Sequence, residues 1–333
     1  MKVSFIIPLY NRLDLTSACL ESLRTTLPAG LDHEILLLDD GSTDGTREWI
    51  QSLGTPYRVL LNQSNLGYAA TNNRGAAAAT GDILALLNSD LIFTRRWLEP
   101  MLATLEHVPS AGIVGNVQFR AATGELDHIG FSVGLTGKPH HDVSSLWLWA
   151  PWRSRQTPAV TAACLLIPRH LFLRLRGFDE GFRNGGEDVD LCFRARELGY
   201  TCHVALHSRI LHHVSASPGR KLHDERNSRR LAHRWHDEFL RLNYGKHHKH
   251  RLTLGLPHDL EYVRLRWEDP RDFDRRQLAD FARSVLRLYL RPRREEIVAQ
   301  QEAAMQVEET RWAQLLGPAP ANDFISSLPV LED

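Results

Sequence analysis

The sequence is short of most features that mark specialised classes of protein. Its 333 residues hold four cysteines, Cys19, Cys164, Cys192 and Cys202, all isolated. No C-x-x-C pair and no disulfide framework can be built from them, so free thiols in a reducing compartment are expected. Charge of one sign is also missing: forty Lys and Arg balance forty Asp and Glu. No overall field recommends nucleic acid or a membrane surface as a partner, and either would have to be found locally. No apolar run approaches the ~18 to 20 residues of a spanning helix, since the longest, Ala159 to Ile167, reaches about half that. The opening MKVSFIIPLYNR has a short apolar stretch broken by Pro8, which reads as a strand and not as a cleavable leader. A cytoplasmic protein is the expectation. G-x-G-x-x-G, P-loop and G-x-S-x-G patterns are all lacking, so dehydrogenase, NTPase and serine-hydrolase readings have no support.

What is present is an ordinary globular composition, 43% apolar and 24% charged, long enough for one large α/β unit with an appendage. Residues 1 to about 120 alternate short apolar runs with segments of helical period. The runs are Val3 to Ile7, Glu34 to Leu38, Arg58 to Leu61, Ile83 to Leu87 and Ile113 to Phe119. Each is mainly apolar rather than alternating, as in strands covered on both faces, which predicts a mostly parallel sheet flanked by helices. From about 120 to 158 the pattern dissolves into Gly, Pro, His and Trp and reads as an irregular connection. A strand over Val160 to Ile167 and a helix over Glu187 to Leu198, stopped by Gly199, follow. Beyond Pro218 the chain turns rich in Arg and His with helical periodicity. The expected organisation is a domain over 1–217 and a basic helical extension over 218–333.

Parallel sheets bind ligands outside the carboxyl ends of their strands, so the residues ending each run are the first candidates. Leu38 runs into Asp39-Asp40-Gly41-Ser42-Thr43-Asp44, where an aspartate can accept hydrogen bonds from a base N–H or a ribose hydroxyl. Capping and turn chemistry account for Ser42 to Asp44 but do not require two adjacent acids. A second run ends in Asn88-Ser89-Asp90. A carboxylate there, with phosphate oxygens and waters, suits Mg²⁺ or Mn²⁺, although a plain turn has the same composition. Gly185-Gly186-Glu187-Asp188-Val189-Asp190 opens a helix with three acids. Helix dipole explains one of them, and Asp190 is spaced to pair with Arg194. The paired glycines let Asp188 stand at the mouth of a cleft, where a general base belongs. His212 and His213 close a further strand-like run, and a neutral imidazole is a common ligand for a divalent ion.

Taken in order, these sites resemble a family 2 glycosyltransferase of the GT-A type, in particular its bacterial rhamnosyltransferase-like branch. The matching elements are Pro8-x-Tyr10-Asn11-Arg12, Asp39-Asp40-Gly41-Ser42-x-Asp44-Gly45-Thr46, Asn65-x-Gly67-x-x-x-x-Asn72-Asn73-x-Gly75 and Leu87-Asn88-x-Asp90. Gly177-Phe178-Asp179-Glu180-x-Phe182, Glu187-Asp188-x-Asp190-Leu191-Cys192-x-Arg194, Gly199-Tyr200 and His212 continue the series. The resemblance covers about residues 1 to 217. It implies a GT-A nucleotide-sugar-binding fold and an inverting transfer of a sugar from a nucleotide-diphosphate donor to an acceptor hydroxyl of a glycan, glycolipid or protein. It further implies a donor site from Pro8, Tyr10, Asn11, Asp39, Asp40, Asn73, Asn88 and Ser89, with Mg²⁺ or Mn²⁺ at Asp90 and His212. Catalysis falls to Asp188 as base, with Glu187 beside it. The chain departs from the pattern twice. Asn88 replaces the first acid of D-x-D, and Ala162 stands where relatives often carry glycine.

Trp147, Trp149 and Trp152 could stack on sugar rings or form a local packing core. His247, His248 and His250, among Lys246, Lys249 and Arg251, read as a solvated basic loop. Between Arg264 and Arg294 there are ten Arg against five acids, so this segment could rest on anionic lipid at the inner face of a membrane or dock on its own protein. Two rivals stand beside the transferase. A glycoside hydrolase would need carboxylates facing each other across a bond and no nucleotide crevice. A non-catalytic nucleotide-sugar or carbohydrate-binding module would not need Asp188.

Overall fold

The computed structural model describes residues 1–134, 138–149, 152–213, 223–243 and 294–318. The chain divides into two compact units. The first is Met1–Ser132 with Pro139–Leu231, and the second is Val133–Lys138 with Ala232–Asp333. The boundary expected between 217 and 218 falls outside the described residues.

The first unit opens with the expected alternation: β1 (Val3–Leu9), α1 (Leu13–Thr26), β2 (His33–Asp39), α2 (Thr46–Ser52), β3 (Tyr57–Leu61), α3 (Tyr68–Ala78) and β4 (Ile83–Leu87). Short β5 (Leu91–Phe93), α4 (Glu99–His107), β6 (Ala111–Arg120) and β7 (Leu126–His128) come next. A small ribbon, β8 (Phe131–Val133) with β9 (Pro139–His141), precedes β10 (Ser154–Thr157), β11 (Cys164–Pro168), α5 (Arg169–Arg174), α6 (Glu187–Glu197), β12 (Thr201–His212) and α7 (Asp224–Arg234). The main sheet has the order β10-β12-β6-β11-β4-β1-β2-β3, with β5 on β12 and β7 on β6.

The expected parallel sheet holds for β1 with β2 and β4, for β2 with β3, and again for β6 with β12. Elsewhere it is mixed. Strand β11 enters antiparallel to both β4 and β6, and β5, β7 and β10 also pair antiparallel. The strand begins at Cys164 and not at Val160, because residues 160–163 are diverted to the cleft described below.

Alternate residues of β1 serve two cores. Phe5 and Ile7 join Leu23, Leu37, Trp97 and Met101 on one face, all fully buried. Ile6 and Leu38 face α3 on the other. There Gly75 lets the helix approach so closely that an added Cβ would lie 2.6 Å from Ile6 Cγ2 and 3.0 Å from Leu38 Cδ1. All four cysteines are free and buried, and burial pushes the Cys19 thiol up to about 12. Among the described residues no helix is long and apolar enough to cross a membrane.

In the second unit α8 (Arg294–Leu316) buries Trp312 and Gln301, and the latter accepts from Asn243 Nδ2 at 2.8 Å. Lys138 reaches Glu308 at 3.0 Å and lies over the Trp312 ring. The tract 246–251 and the arginines between 264 and 293 lie outside the described residues, so the expected basic loop and the arginine-rich segment, whether it rests on lipid or docks on its own protein, are not described.

Replacing Gly75 with Ala gains up to about 1 kcal/mol of helix propensity but overpacks the core at about 1 to 3 kcal/mol. The variant should therefore unfold at lower denaturant with an unchanged slope. Glu34, on β2, accepts hydrogen bonds from Ser4 Oγ at 2.6 Å and from Thr80 N at 2.6 Å and Oγ1 at 2.8 Å. Burial alone would raise its pKa, but these bonds bring it down to about 2. A depressed carboxyl stabilises the fold above its unfolded pKa and loses that contribution as pH falls through the folded one. Glu34→Gln should flatten the loss of stability between about pH 4.5 and 2, as read by denaturation at a series of pH values.

Candidate active site

Strands β1, β2 and β4 end side by side, and the chain leaving each turns into a single cleft of about 310 Å³. Pro8, Leu9 and Tyr10 form one wall, with Tyr10 47% exposed at its rim. Asp40, Asn65, Gly67 and Tyr68 form the next, and Asn88, Ser89 and Asp90 the floor. Thr161 to Ala163, Asn184, Gly185, Glu187 and Asp188 close the far side. The carboxylate-bearing loops at 40, 90 and 188, far apart in sequence, thus share one cavity.

The two adjacent acids have divided roles. Asp40 lines the cleft and holds its wall in shape: Oδ1 accepts from Asn62 Nδ2 at 2.7 Å and Leu66 N at 2.8 Å, and Oδ2 from Gly67 N at 3.0 Å. Asp39 does not face the cleft as expected. It is fully buried and accepts from the amides of Gly41 and Ser42 and from Arg47 Nε at 2.7 Å. Asp39 is the last residue of β2, and its carboxylate is taken up by the turn that follows and by Arg47 of α2.

Asn11 and Asn73 are likewise outside the lining. Asn11 accepts from Thr43 N at 2.8 Å while its own amide donates to Ser42 Oγ at 2.8 Å, lacing the β1 and β2 loops together. Its backbone and that of Arg12 are left-handed, with φ of 57° and 60°. Asn73 of α3 reaches across to the loop after α5, donating to Phe178 O and Glu180 Oε1, both at 2.9 Å, and accepting from Phe178 N at 2.8 Å.

Asp90 and His212 do come together. β12 pairs with β5 so that His212 stands opposite Leu91, and His213 N donates to Asp90 O at 3.0 Å. Asp90 Oδ1 and His212 Nε2 lie 3.3 Å apart. Both atoms are buried with no hydrogen-bond partner, a costly arrangement unless something else satisfies them. Among the described residues no three His, Cys, Asp or Glu side chains cluster as a metal site. An ion here would have two protein ligands and open positions for other oxygens, which suits Mn²⁺ or Mg²⁺.

Asp188 is the second residue of α6, following Glu187 and the pair Gly185 and Gly186, whose φ values of 154° and 92° few other residues adopt. Its Oδ2 accepts from Ala162 N at 3.2 Å and its Oδ1 from Val189 N at 2.8 Å. Glu187, 6% exposed, accepts from Gly185 N at 2.8 Å and so closes the turn in front of Asp188. Asp190 is buried and paired with Arg194 Nε at 2.8 Å, at the expected spacing.

Tyr68 is a cleft residue that the sequence patterns passed over, although it occupies the gap after Asn65-x-Gly67. Its hydroxyl donates to Ala162 O at 2.7 Å, and burial together with the charges of Glu187 and Asp188 raises its pKa well above that of a free phenol. His128 is another. Buried behind the cleft, it accepts from Thr161 N at 3.4 Å, and burial lowers its pKa well below the usual histidine range. Trp147 packs locally, with Arg155 over its ring at 4.4 Å and Trp152 at 5.9 Å, while Trp152 is 58% exposed.

Comparison with known proteins places this fold among GT-A glycosyltransferases. The solved GalNAc-T7 with UDP, GalNAc and Mn²⁺ is similar at a TM-score of 0.58 and 18% identity, over 75% of this chain and 51% of that one. The mannosyltransferase PcManGT of Pyrobaculum calidifontis, solved with GDP-Man and Mn²⁺, is similar at a TM-score of 0.52 and 17% identity, over 95% and 88%. The profile of Glycosyl transferase family 2 matches residues 4–178, and the chain belongs to that family. The O-antigen biosynthesis protein RfbC of Myxococcus xanthus is 32% identical over 229 residues, which are 65% of this chain and 18% of RfbC. Across several curated relatives the chain spans between 18% and 43% of their length.

Proposed function

We propose that this glycosyltransferase inverts the sugar it moves, taking it from a nucleotide-diphosphate donor to an acceptor hydroxyl with Asp188 as base. The observation that carries the reading is the convergence of Asp40, Asp90 and Asp188 on one cleft. A binding module would need the nucleotide wall but no carboxylate on the opposite side.

Pro8, Tyr10, Asp40, Asn88 and Ser89 would contact the donor, with Asp39, Asn11 and Asn73 holding the loops that shape its site. Asp90 and His212 would hold Mn²⁺ or Mg²⁺, their unsatisfied facing atoms being the support for this. Such an ion supplies charge that offsets the negative charge gathering on the leaving diphosphate. The acceptor oxygen attacks the anomeric carbon as the bond from that carbon to the diphosphate oxygen breaks. Its electron pair leaves with the diphosphate, and the hydroxyl proton passes to Asp188. The Ala162 and Val189 amides fix the Asp188 carboxylate, so the base is aimed before the acceptor arrives.

A surface glycan is the favoured acceptor class, supported by the relative named for O-antigen biosynthesis. Rhamnose on a thymidine diphosphate carrier is the first donor to test, with a glycolipid or protein acceptor as the alternatives. The extension over 218–333 would carry any peripheral contact with the inner face of a membrane.

A thermal-shift panel of nucleotide-sugars with Mn²⁺ should reveal the donor, because a ligand at a hundred times its Kd stabilises by about 2.7 kcal/mol. With that donor, Asp188→Asn should lower kcat by about 10² to 10⁴ and leave donor binding nearly intact. Equal losses in both would move Asp188 to the donor site. Asp90→Ala should abolish the gain in donor affinity on adding Mn²⁺. An unchanged gain in a calorimetric titration would remove the metal role.

A further inference from the structure

The loop Gly177–Gly186 delivers Glu187 and Asp188 to the cleft, and it is gripped from outside by α7, beyond the residues that the family profile matches. Asn227 exchanges two hydrogen bonds with one loop residue: Nδ2 donates to Arg183 O at 2.7 Å, and Oδ1 accepts from Arg183 N at 3.3 Å. One turn on, Arg230 donates to Asp179 Oδ2 at 2.9 Å, with its guanidinium 5.2 Å from the centre of the Phe182 ring. The next residue, Leu231, packs over Gly186, where an added Cβ would come within 3.0 Å of Leu231 Cδ1. Gly181 is equally close to Arg230, whose guanidinium would sit 2.6 Å from a Cβ there. Positions 227, 230 and 231 share one helical face. Asn227 is 4% exposed and Leu231 2%, while the Arg230 and Asp179 side chains keep 22% and 16% of their surface, so the grip is buried at Asn227 and Leu231 and half-buried at the ion pair.

We infer that Asn227 and Arg230 are positioning residues of the transfer reaction, a clasp that fixes the glycine-rich loop and thereby the reach of Asp188. This rests on the transferase reading above. The reasoning is one of leverage. Gly185 and Gly186 impose no conformation of their own, with φ of 154° and 92°. Asn73 holds the near end of the loop at Phe178 and Glu180. Between that anchor and α6, the Arg183 amide and carbonyl and the Asp179 carboxylate are held by α7. Without α7 the base would still be carried by an intact α6, but the turn before it would be free to shift. The donor wall, built from β1, β2 and β4, would be untouched. A misplacement of about 1 Å at a reacting group can cost on the order of 10² in rate.

The test uses the full chain with Asn227→Ala, Arg230→Ala and Arg230→Lys. Amide hydrogen exchange, without substrate, should speed up at least tenfold over residues 181–186 in both alanine variants while α3 and β4 keep their protection. With the donor found by the panel above, kcat for transfer should fall about 10- to 100-fold and nucleotide-diphosphate Kd should stay within twofold. Arg230→Lys, which keeps the charge on Asp179, should recover part of the rate, a pattern that a loss of general stability would not give. Unchanged exchange in the loop, or a parallel loss of nucleotide binding and rate, overturns the clasp. If no nucleotide-sugar binds at all, the transferase reading fails, and the exchange measurement still decides whether α7 fixes the loop. Should Asn227→Ala not fold, Arg230→Ala and Arg230→Lys carry the same comparison.

Discussion

Three residues of main chain, Thr161 to Ala163, hold the cleft together. Four separate parts of the first unit hydrogen-bond to this strip. Ala162 N donates to the base candidate Asp188, and Ala162 O accepts from Tyr68 on the donor-side helix. Ala163 O accepts from Asn88 N beside Asp90, and Thr161 N donates to the buried His128. A buried main-chain group without a partner costs about 1 to 3 kcal/mol, so the strip is stable only when all four contributors are in place. That mutual requirement ties the Asp40 wall, the Asp90 and His212 pair and Asp188 to a common frame. It also explains why residues 161–163, strand-like in sequence, leave the sheet: their main-chain hydrogen bonds go to His128, Asp188, Tyr68 and the Asn88 amide, and the ladder resumes at Cys164.

The strands β1 to β4 were legible because each run is mainly apolar without strict alternation and ends in polar residues, the pattern of parallel strands in a covered sheet. Direction was not. A run such as Cys164 to Pro168 carries no sign of whether it will run with or against its neighbours, and its antiparallel entry between β4 and β6 follows from tertiary pairing alone. The helix at Glu187 was legible to within a residue of its end, since Gly186 and Gly199 punctuate both termini with positive φ.

Among the site residues, those at the ends of β1 and β4 and at the start of α6 line the cleft as the motifs implied. Asp39 does not, because its carboxylate is spent on the amides of Gly41 and Ser42 and on Arg47. Asn11 and Asn73 sit in the motifs but hold loops in place, and a sequence pattern cannot separate a residue that touches a ligand from one that shapes its surroundings. Tyr68 and Asn227 were invisible for a different reason. Their significance lies in hydrogen bonds to main-chain atoms more than forty positions away, a relation with no local periodicity to betray it.

In the hydrogen-bonded order of the sheet, strands β1 to β4 meet β6, β12 and β10 through the antiparallel β11. A second link runs along the chain itself, where β4 passes through Asn88, Ser89 and Asp90 into β5, which pairs with β12. Because Asp90 and His212 lie at that second link, a slip of β12 along β5 would pull their side chains apart, and the spacing of the pair records whether the two halves of the sheet stay in register.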